Sequence, residues 1–267
     1  MMRKIFLSLC LVITPLIGYG YIIDGYIWDW GVDLSPTSAK IKGYLDSNLP
    51  KGGLDIDFIT EDNADYTGNW SVGPGGSTKN YYDAEAFYFD NDANYAYIAL
   101  IQGLSRSGYN SIDPGDIAIG FSLSSYSYGI DVSSYDQTNK KANFYGNIKS
   151  WDSVTISAHK PYSDPWRFKI TGGNAQLLGA IDFVYSSAQN THYVLEARIP
   201  LSLLGVTATP GSPITPIFLH WTMECGNDFL NLSADINPVP EPSSLVLMLL
   251  SFLGLGGLKF LNKYLKS

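Results

Sequence analysis

Asp90, Asp92 and Asn94 stand at alternate positions in the run DNDAN, residues 90–94. With this spacing the first half of an EF-hand loop offers oxygen ligands to a hard cation. Tyr95 occupies the place where that loop needs Gly, and Ile101 the place of the bidentate Glu, so the run is not an EF-hand. It reads either as a polar hairpin turn or as a Ca2+ site completed by distant acids such as Glu61 or Asp62. Trp151 and Trp166 present flat indole faces that suit the axial C–H groups of a sugar ring; tryptophans of this kind also complete cores. His159, His192 and His220 are the three histidines, and none lies in an HExxH, GxSxG or paired Cys-His signature. Two carboxylates meeting in a cleft would still make a glycosidase, which fold and spacing leave open, but with none of these signatures present we expect no enzyme.

These residues need a scaffold, and the chain reads as all-β. Tyr (19) and Gly (26) are plentiful and long amphipathic helical periods are absent. Residues 26–34, YIWDWGVDL, predict an opening strand with Trp28 and Trp30 on one face. Residues 54–60 alternate again, and 82–90 with 95–101 predict the clearest hairpin, with Asp83, Glu85, Phe87 and Phe89 on one face and Ala84, Ala86 and Tyr88 opposite. Further strands are expected at 117–123, 128–131, 144–148, 154–158 and 166–170. The strand at 192–199 turns Tyr193, Leu195, Ala197 and Ile199 inward and Glu196 and Arg198 outward. Pro200 ends it, and 201–205 make one helical turn with Gly205 as the cap. Alternation over 219–225 puts Cys225 on the apolar face as an inert, buried thiol, and 229–234 form the last strand.

Both ends of the chain differ from this body. Arg3 and Lys4 precede an apolar run over 5–17, and Gly18-Tyr19-Gly20 supplies small residues two apart, so residues 1–20 predict a signal helix cut by signal peptidase near Gly20. Cys10 lies inside that run and Leu9 precedes it, where a lipoprotein signal needs a small residue. Removal of the signal leaves Cys225 as the sole cysteine, so no intrachain disulfide supports the exported domain. The body, 21–237, carries 12 basic and 24 acidic residues, a net charge of −12. Such a balance argues against nucleic acid or anionic lipid as a partner and permits calcium.

Residues 238–267 have three parts in fixed order. Val239, Pro240, Glu241 and Pro242 open the motif VPEPSS over 239–244, and the two prolines hold the chain extended. Residues 243–261 contain one charge, Lys259, and span roughly 28 Å as a transmembrane helix. Lys259, Lys263 and Lys266 form a basic end over 259–267 that prefers the cytoplasmic side, which places the body across the membrane. This order resembles the PEP-CTERM sorting signal of bacterial surface proteins. The resemblance implies an exosortase, a membrane-embedded transpeptidase, as processing partner, and a product that is membrane-anchored or released to the cell surface. The lysines are spread over eight residues, where the family has a tight arginine-rich group.

A second resemblance runs through the body. DWGVD at 29–33, Thr60-Glu61-Asp62, Tyr82-Asp83-Ala84-Glu85-Ala86, the strand 114–119, Tyr128-Gly129-Ile130, the strand end 196–200, His220-Trp221-Thr222-Met223 and Cys225-Gly226-Asn227-Asp228 look like exported bacterial and archaeal surface proteins. Several strands are similar to family 9 carbohydrate-binding modules and DOMON-type domains. That similarity implies a single antiparallel β-sandwich, sugar held between tryptophans and structural calcium. The tryptophans of this chain do not align with the family's clamp, so no residue inherits that role. The expectations are, in order, an exported structural or adhesive surface protein, a polysaccharide-binding module, and a glycoside-active enzyme.

Overall fold

Residues 95–102, YAYIALIQ, are apolar on both faces, which suits a strand covered on both sides better than one with a solvent face. In the computed structural model, which describes residues 20–34, 49–51, 55–60, 81–123, 125–187 and 192–239, this segment is such a strand. The strands in chain order are β1 (Asp57–Thr60), β2 (Ala84–Asn91), β3 (Tyr95–Gln102), β4 (Ile117–Gly120), β5 (Tyr128–Asp136), β6 (Lys141–Gly146), β7 (Trp151–Asp152), β8 (Arg167–Phe168), β9 (Gln176–Tyr185), β10 (Tyr193–Pro200), β11 (Thr215–Thr222) and β12 (Phe229–Ile236). Ten of them form one antiparallel ladder in the order β1-β2-β3-β10-β9-β6-β5-β4-β11-β12, and β7 pairs with β8 apart from it. Tyr21–Val239 is one compact unit.

The ladder is unbroken through all ten strands, where a sandwich would divide them between two sheets. It curls until β12 packs beside β1 and β2, so the sheet is barrel-like and nearly closed. Side chains bridge the seam. The Asp235 N–H donates to Asp57 Oδ2 at 3.0 Å, and Asn91 and Asn237 exchange bonds of 2.9 and 2.8 Å. Inside the curl, Phe87, Phe89, Ile98, Leu100, Phe144, Phe183 and Trp221 build the main core, and Cys225 is buried with them as expected.

A β-bulge between Ala84 and Ala86 corrects the face assignment of β2. Ala84, Phe87 and Phe89 join the inner core, and Ala86 and Tyr88 face the other way. One inserted residue shifts everything before it to the opposite face. That other face is not solvent. Ile27, Trp30, Val32 and Leu34 pack over it against Ala86, Tyr88, Tyr97, Ala99, Ile101 and Val194. Residues 26–34 are therefore a covering loop with turns, not a strand. Trp30 is fully buried and Trp28 is 54% exposed, so the two do not share a face. Glu196, expected on an outer solvent face, lies fully buried under this cover.

The hairpin β2–β3, the strand β10, the helical turn Leu201–Leu204 and its left-handed Gly205 cap at φ 71° match expectation. Residues 154–158 do not form a strand; they turn, with the Thr155 N–H bonded to Glu224 O at 2.8 Å, and lead into a one-turn helix, Lys160–Ser163. No expectation covers β9, whose first half is exposed or half-exposed and carries no alternation. The signal, the motif from Pro240 onward, the span 243–261 and Lys259, Lys263 and Lys266 lie outside the described residues, as do Glu61 and Asp62. Among the described residues no helix is long and apolar enough to cross a membrane.

Candidate functional site

The small β7–β8 ladder carries Trp151, and one buried acid fixes the ladder to the main sheet. Asp116 accepts the Val132 N–H at 3.0 Å through one oxygen and the Phe168 N–H at 3.2 Å through the other, and its own N–H donates to Trp166 O at 2.8 Å. Burial, with the neighbouring Asp131 carboxyl adding to it, pushes the Asp116 carboxyl well above the usual carboxylate range. Phe168 then packs on β5 at Gly129, where a Cβ would stand 2.8 Å from the Phe168 ring. Phe168 in turn meets the Trp151 indole edge to face, with centroids 5.4 Å apart.

Trp151 is half-buried, and its indole N–H donates to Tyr126 O at 2.9 Å, which fixes the ring plane. It lines an open cleft of about 440 Å³ together with Tyr126, Lys149, Asp164, Asn231 and exposed Leu123. Such a volume suits a small ligand. The Tyr126 ring stacks on His220 at 5.7 Å, and its hydroxyl has no hydrogen-bond partner among the described residues.

His220 sets the other polar edge. Its Nε2 faces two carbonyl oxygens, Pro165 O at 2.8 Å and Ser163 O at 3.1 Å, so that nitrogen carries the hydrogen. Burial lowers the ring's pKa, against the hydrogen bonds to Asn231, Pro165 and Ser163, which act to raise it. Asn231 Oδ1, on the exposed face of β12, lies 2.6 Å from Nδ1, so the ring and the amide are paired across the two strands. The cleft thus offers an aromatic plane, a hydroxyl, an amide, one cation and one carboxylate. This mixture suits a hydroxyl-rich ring compound better than an apolar one.

The residues singled out from sequence are not brought together. Trp166 is 5% exposed, part of the core, with the Arg167 guanidinium 4.4 Å over its ring; of the two tryptophans only Trp151 lines the cleft. Asp90 accepts the Tyr21 hydroxyl at 2.5 Å and the Asn91 N–H at 2.7 Å. Asp92 accepts the N–H groups of Asn94 at 2.7 Å and Tyr95 at 2.8 Å through one oxygen and the Tyr97 hydroxyl at 2.7 Å through the other. These bonds are those of a hairpin turn that closes on itself. Among the described residues no group of three or more His, Cys, Asp or Glu side chains is arranged to hold a metal ion.

Asp116, Asp131 and Asp152 line a second pocket of about 300 Å³ with Arg167 and Lys169. Both oxygens of Asp116 are committed to backbone N–H groups, and Asp152 pairs with Lys169 at 3.2 Å, so the pocket is a structural junction. Cys225 is 4% exposed, and burial pushes its thiol up to about 11. Burial lowers His192 to about 4, with Glu85 3.5 Å away.

Sequence reasoning misses Tyr126, His220 and Asn231 as a unit. Their spacing, over a hundred residues, carries no motif, and only the pairing of β12 with β11 sets Asn231 directly across from His220. No family model, curated protein or solved structure matches the chain.

Proposed function

We propose that the chain is an exported, exosortase-sorted cell-surface protein whose non-catalytic body is displayed outside the cytoplasm for a structural or adhesive role. The observation that carries this reading is the order of Pro240-Glu241-Pro242, an apolar run and spaced lysines directly after the body. Two structural boundaries support it. Tyr21, the first residue after the expected signal cut, stacks on Trp30 at 3.9 Å and donates its hydroxyl to Asp90. At the other end the Val239 N–H donates to Ala208 O at 2.8 Å, immediately before Pro240. Trimming before Tyr21 and after Val239 therefore removes none of these contacts. In this reading the cleft beside Trp151 lies on the surface of the displayed body.

Fractionation of a host with and without its exosortase tests the proposal. The protein is expected at the surface or in the medium of the first strain and retained in the membrane of the second. A cytoplasmic protein in both strains would overturn it.

A second reading, a polysaccharide-binding module, is favoured by half-exposed Trp151 beside the Tyr126 hydroxyl. Saturable binding to the host's exopolysaccharide, lost in Trp151→Ala and retained in Trp166→Phe, would support it. Retention in both variants would count against it.

A further inference from the structure

The cleft beside Trp151 has a neighbour that shares part of its lining. Ile148 and Lys149 also line a second open cleft of about 580 Å³, with Ser127, Asn147, Gly173 and Gln176. One strip of backbone serves both. Tyr126 lines the first cleft and Ser127 the second, and the Ile148 N–H donates to Ser127 O at 3.1 Å, joining the two shared walls. In the second cleft the Asn147 amide donates to Gln176 Oε1 at 2.8 Å. That leaves the Asn147 amide oxygen as an acceptor and the Gln176 amide nitrogen as a donor with no partner among the described residues. Lys149 stands at the junction, exposed, its Nζ only 3.3 Å from Gly173 O.

We infer that the two clefts form one groove that holds the interior of a linear polysaccharide across at least two consecutive sugar units. One ring lies against Trp151, and the next is read by the Asn147 and Gln176 amides. This rests on the polysaccharide reading of the Trp151 cleft and adds to it length and mode. Each cleft alone has the volume of a small-ligand site. Two such sites that share Ile148 and Lys149 would accept a chain that runs from one to the other, whereas a binder of chain ends needs one site that stops. The polar groups of the walls are those a sugar chain would use. Beside the apolar Leu123, Ile148, Pro165 and Ala175 the two clefts present hydroxyl, amide and charged groups that can pair with sugar hydroxyls.

The full-length protein in detergent is titrated with soluble linear β-1,3-glucan, β-1,4-mannan and polygalacturonate, then with oligosaccharides of two, four and six units of whichever polymer binds. Affinity is expected to rise at least about tenfold from two to four units, and reduction of the chain end should leave it unchanged. Trp151→Ala should abolish binding of every length. The double variant Asn147→Gly and Gln176→Ala keeps the left-handed backbone at residue 147, where φ is 53°, and should lose only the gain with length. A length-independent affinity, a gain that survives the double variant, or a requirement for an intact chain end overturns the groove and leaves the Trp151 reading standing. Silence toward all three polymers overturns both.

Discussion

The Glu196 carboxylate accepts the indole N–H of Trp30 at 3.0 Å, with both side chains fully buried between the sheet and the segment that covers it. Its second oxygen accepts the N–H groups of Gly25 at 2.6 Å and Asp24 at 3.2 Å. One acid on β10 thus holds down residues 21–34, which make no ladder bonds of their own, and completes the second apolar cluster. Burial above all, with the Asp29 and Asp24 carboxylates adding to it, pushes Glu196 up to about 8, against the opposing hydrogen bonds from Gly25 and Trp30.

The pH dependence of stability follows from that shift. A carboxyl that holds its proton more tightly when folded stabilises the fold fully below the ordinary Glu value of 4.5, and loses that contribution as pH rises through about 8. Wild type should therefore lose stability relative to Glu196→Gln across pH 4.5 to 8, with a limiting slope of about 1.4 kcal/mol per pH unit. Urea denaturation of both proteins at several pH values checks this. Parallel curves would contradict it.

The hairpin turn should hold without an ion. Asp92 closes it through two backbone N–H groups and the Tyr97 hydroxyl, so Asp92→Ala should cost about 1–3 kcal/mol. Thermal melts with and without EDTA should show the same loss in both conditions. A fall in wild-type melting temperature on chelation alone would show that calcium completes the turn.

Gly129→Ala should damage the cleft from beneath. The new methyl would stand 2.8 Å from the Phe168 ring and 3.1 Å from Ile148 Cδ1, and Phe168 supports Trp151. The expected cost is about 1–3 kcal/mol, with a changed Trp fluorescence spectrum. A variant with wild-type stability and emission would show that β8 moves freely.

Cys225 should resist modification. With 4% exposure and a thiol pushed up to about 11, native protein at pH 8 should take up no iodoacetamide, while urea-unfolded protein alkylates within minutes. Intact mass reads both. Rapid labelling of the native form would contradict the burial.

Local pattern made part of this legible. The hairpin around residues 90–94, the Pro200 to Gly205 turn and the inward Cys225 follow from alternation and from proline and glycine chemistry, all readable within ten residues. What failed depends on distant chain. Alternation places Glu196 opposite Leu195 and Ala197 but does not show that Trp30 will cover it, because the cover lies 166 residues away. The bulge at Ala84 and Ala86 inverts a face that alternation alone assigns confidently. The cleft is partly legible: Trp151 stands out as an aromatic among polar loops, whereas His220 takes its place through Tyr126, Asn231 and the carbonyls of Ser163 and Pro165, all brought to it by the fold.

The most direct test of export and sorting is the intact mass of the protein recovered from the surface fraction of its host. The expected mass starts at or next to Tyr21 and lacks the apolar run and lysines that follow Pro242. A full-length chain with Met1 still attached, recovered from the cytoplasm, would contradict it.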